Sequence, residues 1–188
     1  MRAFGLSALV VLLLTASAAP ARADGFITPY VGYGFGGDST NCPSLTKCDE
    51  KRLHWGASIG SMGGIIGFEQ DFAYAPNFFG SSAGGESAML TLMSNILVIV
   101  PAGPIRPYGV IGLGLMRPHV KLDAGSLALD KNVLGWDIGA GLNIFLTQKF
   151  GLRGDVRHLR TLQDVTLGIF GNERIDFWRG TAGVTLRF

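Results

Sequence analysis

The chain has 188 residues, with 16 Lys and Arg against 14 Asp and Glu, a formal net charge of +2. Its mean hydropathy is +0.32, and 28 of its residues are glycine. The length suits one domain, and so small an excess of positive charge carries no sign of nucleic-acid binding.

The N-terminus opens with Arg2, an apolar run over 4–18, and then Ala21-Arg22-Ala23. A basic residue, a short hydrophobic core and a small-x-small site predict a secretory signal peptide over 1–23. The run is too short and wrongly flanked to be preferred as a membrane span. Cleavage after Ala23 leaves one domain over 24–188. It also removes Arg2 and Arg22, so that fourteen basic residues face fourteen acidic ones. Past that point no stretch reaches the ~18 unbroken apolar residues of a spanning helix. The richest, 96–115, is interrupted by Pro101, Pro104, Arg106 and Pro107. A β-barrel resolves the paradox of a hydrophobic chain with no spanning helix. Its lipid-facing side chains are apolar while its backbone groups pair between strands.

In chain order, eight segments alternate in polarity and predict strands at 26–36, 52–62, 65–75, 87–100, 106–117, 133–145, 150–162 and 175–188. The connections alternate too. Positions 63–64, 101–105 and 146–149 are short; 37–51, 76–86, 118–132 and 163–174 are long. Short periplasmic turns and long external loops are the pattern of an outer-membrane barrel, and an even strand number puts both termini at the periplasmic end.

Side-chain parity is sharp in four of the strands. In the third, Ile66, Phe68, Phe72 and Tyr74 oppose Gly67, Glu69, Asp71 and Ala73. In the sixth, Leu134, Trp136, Ile138, Ala140, Leu142 and Ile144 oppose Asp137 and Asn143. The seventh sets Phe150, Leu152 and Val156 against Arg153, Asp155 and Arg157. The last sets Trp178, Gly180, Ala182, Val184, Leu186 and Phe188 against Arg179, Thr181, Thr185 and Arg187. A period of two is the signature of a strand with two different faces. The fourth and fifth strands are apolar on both faces, which leaves their facing open.

The aromatic residues fall into two belts. Trp55, Trp136, Trp178 and Tyr74 lie near the outer ends of their strands. Phe68, Tyr108, Phe145 and Phe150 lie near the periplasmic ends, as does Phe188. Two such girdles mark the two interfaces of a membrane. A soluble lipocalin-type barrel, the alternative, gives no reason to sort tryptophans in this way.

Glu69, Asp71, Asp137, Arg153, Asp155, Arg157 and Arg179 all fall on the parity opposite the lipid-facing one, at similar heights on four strands. Buried charges need partners, so an ion network filling a narrow lumen is expected. A structural plug is the favoured reading, and a gate in a narrow pore is its rival. Cys42 and Cys48 share the first long loop and predict a disulfide in an oxidising compartment. A metal site is the alternative there, but no His or further Cys is near in sequence.

Other motifs carry little chemistry. Gly56–Gly60 and Gly80–Gly84 match G-x-S-x-G, yet neither has the strand-turn-helix context of a nucleophile elbow. The glycine pairs at Gly32 and Gly34 and at Gly112 and Gly114 lack the spacing and the helix that phosphate binding needs. His54, His119 and His158 are scattered, with no metal-ligand spacing. His158 is the one placed outward near a rim. With no Ser or acid at strand-pair distance in sequence, it reads as an interfacial His rather than a catalytic one. No cofactor and no metal is predicted.

The signal peptide, the eight alternating segments, the starts Pro29-Tyr30-Val-Gly and Pro107-Tyr108-Gly-Val, and the terminal Leu-Arg-Phe together resemble a known family. They are similar to the small eight-stranded outer-membrane barrels of the OmpA, OmpX and OmpW type, the porin-family β-barrel domains. The resemblance implies an all-β, antiparallel, up-and-down transmembrane barrel in the bacterial outer membrane. It also implies contact with outer-membrane lipid and lipopolysaccharide, and assembly by the barrel-insertion machinery with Phe188 as the C-terminal signal. No peptidoglycan-binding domain is expected after Phe188. Three functions follow in order of preference. The first is a non-enzymatic structural or surface protein that presents its loops to an external protein or ligand. The second is a narrow channel for small or apolar solutes, opening laterally through the wall, and the third is a lipid A-modifying enzyme held back by its missing triad. Fold alone does not choose among them.

Overall fold

The computed structural model describes residues 24–36, 53–76, 78, 85–122, 129–130, 132–162, 165–166 and 172–188. Eight long strands carry the architecture. They are β1 (Asp24–Phe35), β2 (Leu53–Met62), β3 (Ile66–Pro76), β4 (Gly85–Ile99), β5 (Ile105–Leu122), β6 (Val133–Phe145), β7 (Phe150–Thr161) and β8 (Asp176–Arg187). Each pairs antiparallel with its neighbours in sequence, and β1 pairs with β8, so the sheet closes into an up-and-down barrel. Leu129–Asp130 adds a short pairing at the far end of β5, and Val165–Thr166 pairs with Asn172–Glu173. Closure removes the unpaired edge that a terminal strand would otherwise present. The seam runs from Phe26 opposite Arg187 to Phe35 opposite Trp178. It is finished by the Phe188 amide donating to the Gly25 carbonyl at 2.9 Å and by an Arg187–Asp24 ion pair.

The strand positions agree with the sequence reading except at one hairpin. β4 and β5 run 15 and 18 residues and stay paired from Ile99–Tyr108 out to Gly85–Leu122. Pro118, read as the start of a loop, lies inside β5. It falls in the gap between Met116, the last β5 residue paired with β6, and His119, where pairing resumes with Asp130, so a missing N–H is tolerated there. The facing of this hairpin is now defined. Met89, Met93, Leu97 and Ile99 of β4 and Tyr108, Val110 and Met116 of β5 are buried inside, while Leu92, Ile96, Val98, Ile111 and Leu113 are exposed outside.

The exposed outer wall is a continuous apolar band, including Val31, Ile59, Ile66, Val98, Ile111, Leu113 and Ile138. An area of this kind has no place against water and is what a lipid-facing wall requires. Two polar residues on that face, Ser94 and Gln70, share a 2.9 Å hydrogen bond across β3 and β4.

Inside, three layers stack along the axis. Phe26, Met62, Leu97, Ile99, Tyr108 and Val110, with Phe145 against them, fill the short-turn end. Phe78, Met89, Met116, Val133, Leu159, Ile175 and Phe177 fill the long-loop end. The charged side chains lie between. Inward glycines make room for them: a Cβ on Gly139 would stand 2.3 Å from the Val156 carbonyl oxygen and 2.9 Å from the Arg157 side chain. Outward Gly154 meets nothing nearer than 3.7 Å. Gly139→Ala should therefore lower stability by about 1–3 kcal/mol, the range of an overpacked core, while Gly154→Ala should be close to neutral. Urea midpoints of the folded band in heat-modifiable gels measure both, and equal shifts for the two variants would contradict the packing described.

Candidate functional site

Strand alternation delivers Glu69 and Asp71 from β3, Asp137 from β6, Arg153, Asp155 and Arg157 from β7, and Arg179 from β8 to one interior layer. None of the seven is more than 7% exposed. Arg157 is the hub. Its Nη2 donates to Glu69 Oε1 at 2.8 Å and to Asp155 Oδ2 at 3.2 Å; its Nε reaches Asp155 Oδ1 at 3.0 Å and its Nη1 reaches Asp137 Oδ2 at 3.4 Å. Arg153 reaches Glu69 Oε2 at 2.5 Å through Nη1, and its Nε donates to Asp155 Oδ2 at 3.2 Å. Arg179 Nη2 donates to Asp71 Oδ1 at 2.5 Å. Every acid of the layer thus touches at least one guanidinium.

Neutral groups complete the layer. The Tyr30 hydroxyl donates to Asp71 Oδ2 and the Tyr108 hydroxyl to Asp155 Oδ2, each at 2.7 Å. Tyr108 in turn accepts from Arg153 Nε at 2.6 Å. Asn95 Nδ2 donates to Glu69 Oε1 at 3.1 Å, Ser58 Oγ accepts from Arg153 Nη1 at 3.3 Å, and Thr91 Oγ1 accepts from Arg179 Nη1 at 3.5 Å. The ionic residues were predictable from parity. The neutral partners were missed, because a lone Tyr, Asn or Ser on an inward position looks like filler until the register sets its neighbour. Desolvating an ion costs several kcal/mol, and only a dense set of partners offsets it. Placed between two apolar layers, the arrangement has the chemistry of a plug.

Two of the predicted girdle aromatics are not lipid-facing. Tyr108 points inward and is 3% exposed, because its hydroxyl finds Asp155 and Arg153 there. Phe145 also turns inward, with the guanidinium carbons of Arg106 and Arg187 at 5.1 and 4.7 Å from its ring centroid. Phe68 is exposed on the outer wall, and Phe150 is half-buried on the same parity. At the long-loop end Trp55 packs on Tyr74 at 5.6 Å, and Trp136 and Trp178 flank His158 at 5.7 and 4.9 Å.

His158 also differs from expectation. An acid does sit beside it: its Nε2 is 2.6 Å from Asp176 Oδ1. The pairing of β7 with β8 makes this neighbour, across 18 positions of sequence, and spacing alone could not reveal it. Among the described residues its ring bonds no hydroxyl or thiol. Ser58, centre of the first G-x-S-x-G, lies inside the barrel on Arg153. The second such motif, Cys42, Cys48 and positions 1–23 lie outside the described residues. Among the described residues no group of three or more His, Cys, Asp and Glu is arranged to hold a metal.

Set beside known proteins, residues 7–188 match the family model described as the outer membrane protein beta-barrel domain. The chain belongs to this family. Among solved structures it is similar to Neisserial surface protein A, with a TM-score of 0.63 and 16% identity over 87% of this chain and 97% of that one. It is similar to outer membrane protein H of Pseudomonas aeruginosa, with a TM-score of 0.59 and 18% identity over 88% of this chain and 100% of that one. Ail, the attachment invasion locus protein of Yersinia pestis in complex with the heparin analogue sucrose octasulfate, gives a TM-score of 0.51 and 15% identity, over 87% and 99% of the two chains. At such identities the likeness shows the fold alone. No curated protein matches the chain. Family membership places the barrel in the bacterial outer membrane, with its charged layer at membrane depth.

Breaking that layer should be costly. Arg157→Met leaves Glu69, Asp155 and Asp137 short of their shared cation and should destabilise the barrel by about 3–5 kcal/mol. Arg106→Gln, at the rim, should cost less than about 1 kcal/mol. Urea unfolding in detergent micelles, followed by tryptophan emission, compares the two; an Arg157→Met midpoint equal to that of Arg106→Gln would refute the hub.

Proposed function

We propose that this outer-membrane barrel is a non-enzymatic structural and surface protein whose lumen is sealed. The observation that carries the reading is Arg157, fully buried and shared by carboxylates from β3, β6 and β7. Apolar layers lie on either side of it. Ions have no hydrated path through such a stack. The residues that thicken β4 and β5 with apolar side chains occupy the lumen rather than lining an open bore.

With the barrel sealed, the four long connections are the ground on which an external protein or surface ligand is recognised. Recognition of a surface ligand by a barrel of this fold is supported by Ail, solved with a heparin analogue. Single-channel recording of the refolded protein in planar bilayers should be silent, with folding verified by heat-modifiable mobility. Discrete, reproducible conductance steps would overturn the sealed lumen in favour of a narrow channel.

Phe188 serves assembly in this reading. The residue is 76% exposed at the seam between β1 and β8, and its backbone already pairs with Gly25. Deleting Phe188 should lower the outer-membrane yield while leaving the barrel's stability after refolding nearly intact. Unchanged yield in cells would remove the C-terminal residue from the assembly role.

A further inference from the structure

The apolar outer wall carries a polar break at mid-height. Gln70 lies midway along β3, Ser94 stands opposite it on β4, and both are exposed on the lipid-facing side. One row of the sheet runs Ile59, Gln70, Ser94, Leu113 across β2 to β5. The outward row toward the long loops holds Phe72 and Leu92, and the row toward the short turns holds Phe68 and Ile96. All six of these neighbours are apolar and exposed.

The Ser94 hydroxyl donates to Gln70 Oε1 at 2.9 Å, and this is the hydrogen bond that each side chain makes with the described residues. Together the two groups own three polar hydrogens, two on the amide and one on the hydroxyl, and the bond uses one of them. Exchanging the oxygen and nitrogen of the amide leaves the same surplus. Acyl chains offer no acceptor for it, so an isolated barrel holds unmet donors in hydrocarbon, where they are strongly disfavoured. Elsewhere on the wall Val31, Ile138 and Val156 fill outward positions with branched apolar side chains. A polar side chain facing lipid calls for a partner within the membrane.

We propose that Gln70 and Ser94 mark the face on which a second copy of this chain docks inside the membrane. Copies inserted in the same direction pair about a two-fold axis along the membrane normal, and such an axis carries each residue to its own height. Gln70 then meets Gln70 of the partner subunit. A primary amide is its own complement: it donates an N–H to the facing Oε1, whose second lone pair the Ser94 bond leaves open, and accepts one in return. The remaining N–H has the hydroxyl oxygen of Ser94 of the partner subunit as its acceptor. A lipid tail has no acceptor, and an unrelated barrel supplies one at this depth only by coincidence. A second copy supplies it by symmetry. The apolar ring around the pair gives the two walls their packing and keeps lipid from the polar centre. The proposal is independent of whether the lumen conducts.

The test uses the full refolded chain, with folding verified by heat-modifiable mobility. Sedimentation in density-matched micelles should show a monomer–dimer equilibrium set by the ratio of protein to detergent. Gln70→Leu, which keeps the bulk and removes the amide, should weaken dimerisation about thirtyfold, the factor for two hydrogen bonds between membrane segments. Its monomer should unfold at a urea midpoint no lower than that of the unsubstituted protein. Ile138→Ala, on the β6 wall, should leave the equilibrium unchanged. In cells, a benzophenone-bearing phenylalanine at position 72 should crosslink to a differently tagged second copy, and one at position 138 should not. A monomer at every ratio would overturn the dimer, and crosslinking from position 72 to a different protein alone would overturn the choice of occupant. A dimer that Gln70→Leu leaves intact would overturn the location.

Discussion

The constraint on which the rest of this barrel depends is that three guanidiniums are buried at membrane depth inside a tube with room for side chains and little else. None can be left there without partners, because neither lipid nor bulk water reaches them. Glu69, Asp71, Asp137 and Asp155 supply the charge, and Tyr30, Tyr108, Asn95, Ser58 and Thr91 add further hydrogen bonds. The backbone answers the same constraint in its own way, by closing β8 on β1 so that no strand edge faces the membrane.

The network also explains why the register of distant strands is fixed. Glu69 and Arg157 are 88 positions apart, and Asp71 and Arg179 are 108 apart. Slipping one strand by a residue would turn its charges out into lipid, so the ion pairs and the apolar wall specify the same alignment. Polar networks of this sort add little net stability over a well-packed hydrophobic core. The inward glycines belong to the same solution. Gly139 and Gly112 approach Arg157 and Asn95 so closely that any side chain on them would displace a member of the layer.

Most of the fold was legible because the lipid-facing wall imposes a visible period of two on several strands. The interior charges were legible for the same reason, from parity alone. What parity could not supply was anything that depends on the cross-strand neighbour. β4 and β5 are apolar on both faces, so only the closed sheet shows that Met93 is inside and Leu92 outside. Tyr108 has the composition of a girdle residue but the parity of a lumen residue, and its hydroxyl follows the lumen acid. Asp176 meets His158 through the β7–β8 register, a relation between positions too far apart for local spacing to suggest. The disulfide expected at Cys42 and Cys48 concerns residues outside those described.

On the proposed reading the lumen is sealed and the barrel works on its outside, at the loops. The central claim beneath that account is that the arginine layer is dry. Side-chain nitrogen NMR of the refolded protein, following deuterium exchange at each arginine Nε–H, tests it most directly. The account predicts strong protection at Arg153, Arg157 and Arg179 and rapid exchange at Arg106, which lies at the rim. Exchange of Arg157 at the rate of Arg106 would show a water-filled lumen and contradict it.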